Sequence, residues 1–508
     1  MTAINQNSIF YHIYPLGACG APHFNDFQSA PEPRLRQILG WLDHIQSLGA
    51  NALYLGPVFE SNSHGYDTAD YFHVDRRLGA RADLAELARA LHSRGMRLVL
   101  DGVFNHVGRN FWAFRDLQEN GVNSPYRNWF ADLRFDQRSP YGDPFSYAAW
   151  NGHFDLIKLN LAEPVVKQHL FDAIRMWKEE FQIDGIRLDA ADALSFDFMR
   201  DLRAFTNQLD PDLWLMGEVI HGDYRQWANP AMLHATTNYE LYKSLYSSFN
   251  DGNFFELAYS LNREFGSGGI YKEIPTLYNF ADNHDVSRIA SQLRDKQHLS
   301  LLYFLLFTMP GVPSVYYGSE FGFEGVKQSD DWNLRPIFAL HELQNHPHVF
   351  DLRGWIGHLA WLRQSEPALR FGNYEQVLVA SRQLAFSRET GNDCLVAVVN
   401  SAAEPIELSL SLRGKANRRF LDLLSQEEFF TAGSDGTLQV VMKPNQVRLL
   451  KNSRLKPAGQ VKKLLGGKAL ARPFPPPRNG KAPVSGGGSS RALAGRLAEI
   501  CPRQGGAR

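Results

Sequence analysis

The sequence is short of cysteine, of unbroken hydrophobic runs and of net charge, and each shortage excludes a class of protein. Its three cysteines, Cys19, Cys394 and Cys501, are far apart and odd in number. That argues against a disulfide framework and against a Cys-x-x-Cys metal site. No run of 18 apolar residues occurs, and MTAINQNSIFYHIYPL at the start lacks a basic segment leading into an apolar one. Neither a membrane span nor a signal peptide is therefore expected, which leaves the cytoplasm as the default location. The net charge of −1 conceals an asymmetry: residues 451–508 carry thirteen Lys and Arg against one Glu, a local +12, which leaves −13 on the rest. An acidic body of this kind does not favour nucleic acid as a partner.

What is present is an alternation of strand-like and helix-like segments. Strand patterns fall at 8–16, 52–59, 97–104, 185–192, 213–220, 235–240, 276–285 and 312–320, with helical patterns at 33–48, 82–95, 163–181 and 195–209. Eight strands with intervening helices predict an α/β protein, a (β/α)8 TIM barrel spanning residues 1–374. An insertion after the third strand, 107–157, holds twelve aromatic residues. It reads either as a small subdomain with its own core or as a wall of stacking surfaces for a ligand. Residues 375–451 are short alternating runs between turns, as in an antiparallel β-sandwich. The remainder, 452–508, is basic and rich in Gly, Pro and Ala, and reads as a disordered tail with one short amphipathic possibility at RALAGRLAEI.

Within GIRLDAAD (185–192) the alternation of Ile186, Leu188 and Ala190 with Arg187 and Asp189 predicts a strand whose second face carries a cation and an anion. Buried charges are costly unless paired or used. In a barrel of this type the chemistry sits at the C-terminal strand ends. Asp101, Asn105 and His106 end the third strand pattern, Glu218 the fifth, and Asn283, His284 and Asp285 the seventh. Taken singly, each has a structural alternative: an ion pair for Arg187–Asp189, a helix cap for Glu218 or Asn283, turn chemistry for DGVFNH. Four such groups in order, each at a strand end, point to glycoside hydrolysis, which needs a carboxylate nucleophile facing a protonated carboxylic acid. Arg187 is expected to lower the pKa of Asp189, and Glu218, facing that anion in a partly dry cleft, to keep a proton for donation.

DGVFNH (101–106), GIRLDAADA (185–193), GEVI (217–220) and FADNHD (280–285) resemble, in order and spacing, the four signatures of the α-amylase family, glycoside hydrolase family thirteen. The resemblance covers roughly residues 8–450, and LIKLNLAEP (156–164) is similar to a fifth motif of cyclomaltodextrinase-like and maltogenic members. It implies Asp189 as nucleophile, Glu218 as general acid/base and Asp285 as transition-state stabiliser. It also implies Arg187, His106 and His284 as partners of the sugar at the cleavage point, Tyr66 as a stacking platform beneath it, and Asp101 as a supporting residue. The implied partner is an α-glucan oligosaccharide, cleaved at α-1,4 bonds by a retaining hydrolase or, on the same scaffold, rebuilt by a transglycosylase such as a 4-α-glucanotransferase. The catalytic set is complete, unlike that of the non-catalytic heavy chains of amino-acid transporters. Asp192-Ala193 stands where secreted α-amylases have Lys-His, and ACGAPHFND lacks the ligand spacing of the family's calcium loop, so no metal and no cofactor are expected. With the first strand pattern beginning at residue 8, the extra N-terminal domain of neopullulanase-type enzymes is not expected either.

Overall fold

The computed structural model describes residues 4–340, 352–391, 393–425 and 428–453. Eight parallel strands form one sheet: β1 (Phe10–Ile13), β2 (Ala52–Leu55), β3 (Arg97–Gly102), β4 (Gly185–Leu188), β5 (Trp214–Gly217), β6 (Ala235–Thr236), β7 (Tyr278–Phe280) and β8 (Val312–Tyr316). Their order is β6-β5-β4-β3-β2-β1-β8-β7. The open edges meet where Thr237, just past β6, bridges Tyr278 of β7, and the Asn238 amide donates to the Tyr278 carbonyl at 2.9 Å. The ring is thereby closed, as the alternation of segments predicts.

Each strand is buried on both faces. Tyr11, Ile13, Leu53, Leu55, Leu98, Leu100, Ile186 and Leu188 pack outward against the helices, while Phe10, Ala52, Val99, Trp214, Met216, Ala235, Tyr278 and Val312 fill the barrel. Towards the C-terminal ends the inward positions turn polar. The register sets Asp101 of β3 beside Arg187 of β4, and His12 of β1 beside both Tyr54 and Tyr316. An apolar plug below a polar layer is what fixes the site at this mouth.

The strands are shorter than their sequence patterns. The 185–192 pattern stops as a strand at Leu188, since Ala190 adopts a left-handed conformation (φ 45°) and a single 3-10 turn follows at Ala191–Ala193. At 235–240 only two residues are strand before Asn238 caps the helix Tyr239–Asp251 through its side chain. The chain must turn out of the barrel at these points, and the residues that make the turn carry the polar groups. The 33–48 pattern divides into two short helices, Arg36–Leu39 and Leu42–Ser47.

The insertion is built on a three-stranded sheet (His106–Gly108, Ala149–Trp150, His153–Lys158) and a helix, Trp112–Asn120. Six of its twelve aromatics, Phe111, Phe114, Trp129, Phe130, Phe145 and Tyr147, are buried. About half of the aromatic excess is therefore core.

Beyond the barrel lie β9 (Asn373–Val379), β10 (Gln383–Thr390), β11 (Asp393–Asn400), β12 (Ile406–Ser411), β13 (Arg419–Asp422), β14 (Phe429–Thr431), β15 (Thr437–Met442) and β16 (Gln446–Ser453). Six of them form one antiparallel sheet, β9-β10-β11-β16-β13-β14, and β12 pairs with β15 in a second. Leu384, Phe386, Leu395, Ala397 and Val399 face the barrel, whereas Ala385, Val396, Val398 and Leu450 face the second sheet. Burial on both faces explains the unbroken apolar run of CLVAVVN. Asn452 and Ser453 end β16, paired with Phe420 and Arg419. The rest of the segment expected to be disordered, including RALAGRLAEI and Cys501, lies outside the described residues.

Candidate active site

Arg187 is the hub. Its Nη1 lies 2.8 and 3.0 Å from the two Asp101 oxygens and 2.9 Å from Asp189 Oδ1, and its Nη2 lies 2.7 Å from Glu218 Oε2. One buried guanidinium thus serves three carboxylates, each at the end of a neighbouring strand. Asp101 also accepts hydrogen bonds from the hydroxyls of Tyr54 (2.8 Å) and Tyr66 (3.0 Å) and is fully buried, so its task is to hold Arg187 and Tyr66. The side chains of Asp189 and Glu218 keep 11% and 13% of their surface exposed. Their free oxygens are the ones that a ligand reaches.

The turn after β4 fixes both. The Asp189 amide donates to the Gly102 carbonyl (3.1 Å), the Ala190 amide to Glu218 Oε2 (3.1 Å) and the Ala191 amide to the Glu218 carbonyl (3.0 Å). The left-handed Ala190 is what aims its N–H at that carboxylate. The Tyr239 hydroxyl reaches the other Glu218 oxygen at 3.4 Å and accepts from Asn283 Nδ2 at 3.1 Å.

Asp285 stands across the mouth. Its Oδ2 is 2.9 Å from His284 Nε2, its Oδ1 is 2.9 Å from Arg335 Nη2, and its side chain is 29% exposed. Tyr66 lies parallel to His284 (5.4 Å between centroids, 10° between planes) and hydrogen-bonds it through its hydroxyl. His106 Nε2 is 3.8 Å from Asp189 Oδ2 and has no hydrogen-bond partner within the protein. All eight residues singled out from the sequence thus join one connected network.

The electrostatics differ from the expectation. Burial pushes the Asp189 carboxyl well above the ordinary carboxylate range; Arg187 opposes this, while Glu218, Asp101 and Asp285 add to it. The expected lowering by Arg187 is overturned because that single cation is divided among three anions in a desolvated pocket. The empty site therefore holds a proton within the Arg187-bridged carboxylate cluster. For Asp285 burial also pushes upward, yet His284, Arg335 and Arg187 together outweigh it and keep this carboxyl below its usual range. Burial holds the His106 imidazole down, to about 3, so at neutral pH it presents a neutral ring to the cleft.

Four residues of the site have no sequence motif. Tyr54, Tyr239 and His12 come from strand interiors and strand exits, and Arg335 comes from the loop after β8. His12 is fully buried between Tyr54 and His284. Alternation of polar with apolar residues in FYHI was the available signal for His12. Arg335 had none. Among the described residues no group of three or more His, Cys, Asp or Glu side chains is placed to hold a metal ion.

With this geometry in hand, comparison with known proteins is informative. The family model for the alpha amylase catalytic domain matches residues 22–346, and that for the maltogenic amylase C-terminal domain matches residues 374–449. A cyclomaltodextrinase of a Bacillus species is 32% identical over 419 residues, covering 78% of this chain and 73% of that protein. An intracellular maltogenic amylase of Bacillus subtilis is 30% identical over 414 residues, covering 80% and 68%. Among solved structures, the cyclic α-maltosyl-(1→6)-maltose hydrolase of Arthrobacter globiformis superposes with a TM-score of 0.73 at 28% identity, covering 88% of this chain and 99% of that one.

Proposed function

The chain belongs to the α-amylase family of glycoside hydrolases, and from that premise we propose that it is a retaining hydrolase of α-1,4 bonds in maltodextrins and maltooligosaccharides, working in the cytoplasm without a cofactor. The observation that carries the reading is the Arg187 bridge: one cation touching Asp189 at 2.9 Å and Glu218 at 2.7 Å from adjacent strand ends. A retaining site needs its two carboxyl groups close together, about 5–5.5 Å apart, leaving no room for a water between them.

In this mechanism the proton of the cluster resides on Glu218 once substrate is bound, leaving Asp189 anionic. Glu218 protonates the departing glycosidic oxygen as Asp189 attacks the anomeric carbon to form a glycosyl ester. Glu218, now a carboxylate, takes a proton from water, which displaces Asp189 and restores the α configuration. Asp285, kept ionised by His284 and Arg335, binds ring hydroxyls and faces the positive charge that develops on the sugar. The neutral His106 donates to another hydroxyl, and Tyr66 supports the ring from below.

The test is a trapping experiment. Glu218→Gln should turn α-glucosyl fluoride over to the intermediate and stall, because fluoride needs little acid assistance. Mass spectrometry of a peptic digest should then find a hexose on the peptide carrying Asp189. Asp189→Asn should give no adduct and almost no turnover. A β-anomeric first product by NMR, or a label on another carboxylate, would refute the assignment.

A further inference from the structure

A row of rings leads out of the site on the side away from Glu218. His284 stacks on Tyr14 (5.7 Å, 17°), Tyr14 meets Trp332 edge-on (6.2 Å, 79°), and Trp332 lies flat on His23 (3.9 Å, 5°). His23 belongs to the segment after β1 and Trp332 to the loop after β8. In a closed ring of eight strands, β1 and β8 lie diametrically opposite β5 and β4, which carry Glu218 and Asp189. The His23–Trp332 stack therefore ties two loops together at the far rim of the mouth.

Both halves of this tie are anchored. Arg77, ion-paired with Asp75, donates to the carbonyls of Pro22 and His23, each at 3.0 Å. Asn25 Nδ2 donates to Glu60 Oε1 at 2.9 Å. On the other side Arg288, fully buried over the Tyr316 ring at 4.1 Å, donates to the Leu334 carbonyl at 2.7 Å, and Lys327 Nζ donates to the Asp285 carbonyl at 2.7 Å. Such anchoring makes a preformed wall rather than a lid that closes on ligand.

The acid protonates the leaving group, so the aglycone lies on the Glu218 side and the glycone extends towards β8 and β1. We propose that the His23–Trp332 stack is a chain-length stop: it ends the glycone side of the cleft, so that the enzyme removes glucose or maltose from the non-reducing ends of linear α-glucans instead of cutting within them. This rests on the assignment of Glu218 as the acid. The stop selects by clash, a negative device, since a longer glycone could enter only by parting the two rings.

The experiment uses three substrates: α-glucosyl fluoride, 4-nitrophenyl maltoheptaoside, and the same glycoside with its non-reducing end capped by a 4,6-ethylidene group. The full chain should hydrolyse the fluoride, release only glucose or maltose from the uncapped chain, and act on the capped one about 100-fold more slowly, the scale on which a pocket rejects an oversized group. His23→Ala and Trp332→Ala, shown to be folded by their melting curves, should raise the capped-to-uncapped ratio about tenfold or more and yield maltotriose and longer products, within the same range of pocket discrimination. His23→Phe, which keeps a flat ring against Trp332, should restore the short products. Cleavage of the capped chain at the uncapped rate, or a ratio unmoved in both alanine variants, overturns the stop while leaving the hydrolase reading intact. Inertness towards all three substrates overturns the hydrolase reading itself, and the stop with it.

Discussion

Gly17 shows how little room the site leaves its supports. A β-carbon built there would come within 1.9 Å of the Arg335 carbonyl oxygen, and that backbone cannot yield without moving the guanidinium from Asp285. Displacing a catalytic constellation by about 1 Å costs on the order of a hundredfold in rate. Gly17→Ala should therefore lose about 10- to 100-fold in kcat/KM with an unchanged far-UV circular dichroism spectrum; wild-type kinetics would show that Arg335 does not position Asp285. A second buried group concerns stability. Glu264 accepts from Asn238 Nδ2 at 2.8 Å, its other oxygen has no hydrogen-bond partner, and burial pushes its carboxyl up to about 8. A carboxyl raised on folding contributes stability that is fully present below its unfolded pKa of about 4.3 and is lost as pH rises through the folded value, at up to about 1.4 kcal/mol per pH unit. Glu264→Gln should match the wild-type melting temperature near pH 5 and exceed it progressively towards pH 8. Parallel curves across that range would contradict the shift.

At the scale of elements, the insertion is fastened where a divalent cation might otherwise be invoked. Its buried Asp143 is gripped by both Arg109 nitrogens (2.8 and 2.9 Å), by Gln118 and by Ser139, and Arg109 also covers the Tyr141 ring at 4.3 Å. A carboxylate so fully engaged needs no metal. Prolonged chelation is expected to leave activity and unfolding temperature unchanged, whereas Arg109→Ala, which strands a buried anion, should cost about 3 kcal/mol. A loss on chelation that calcium alone reverses would point to a site elsewhere in the molecule. The barrel strands and the eight site residues were legible in the sequence because both obey local rules. Strands buried on two faces are apolar throughout, and the reaction requires carboxylates where they end. Strand length was not legible, since Ala190 and Asn238 turn the chain through tertiary hydrogen bonds to Glu218 and Tyr278. Arg335 was invisible for the same reason: it meets Asp285 across 50 residues and through a loop without periodicity. The sign of the Asp189 shift depended on counting how many anions share Arg187, which only the packed structure reveals.

For the whole molecule, the barrel and the sandwich share one core, so neither should survive alone. A chain ending at Gly372 is expected to be insoluble or to melt without a cooperative transition. One ending at Ser453 should retain activity and melting temperature, because the 55 residues removed are mostly Gly, Pro, Ala, Lys and Arg. A soluble, cooperatively melting product from the shorter chain would show the two parts to be separable. The deepest link is a pair of fully buried arginines. Arg363 donates to the carbonyls of Phe307, Met309 and Leu369, and Arg388, on β10, to those of Thr308 and Gly372. Both cations sit at the carboxyl end of the apolar helix His298–Thr308, where unpaired carbonyls and the helix dipole would otherwise stay unsatisfied. The consequence is one of timing. During synthesis the last barrel helix emerges some 80 residues before the arginine that completes its end, so the barrel cannot be finished until β10 has left the ribosome, and the enzyme acquires its active mouth only when the sandwich has begun to form.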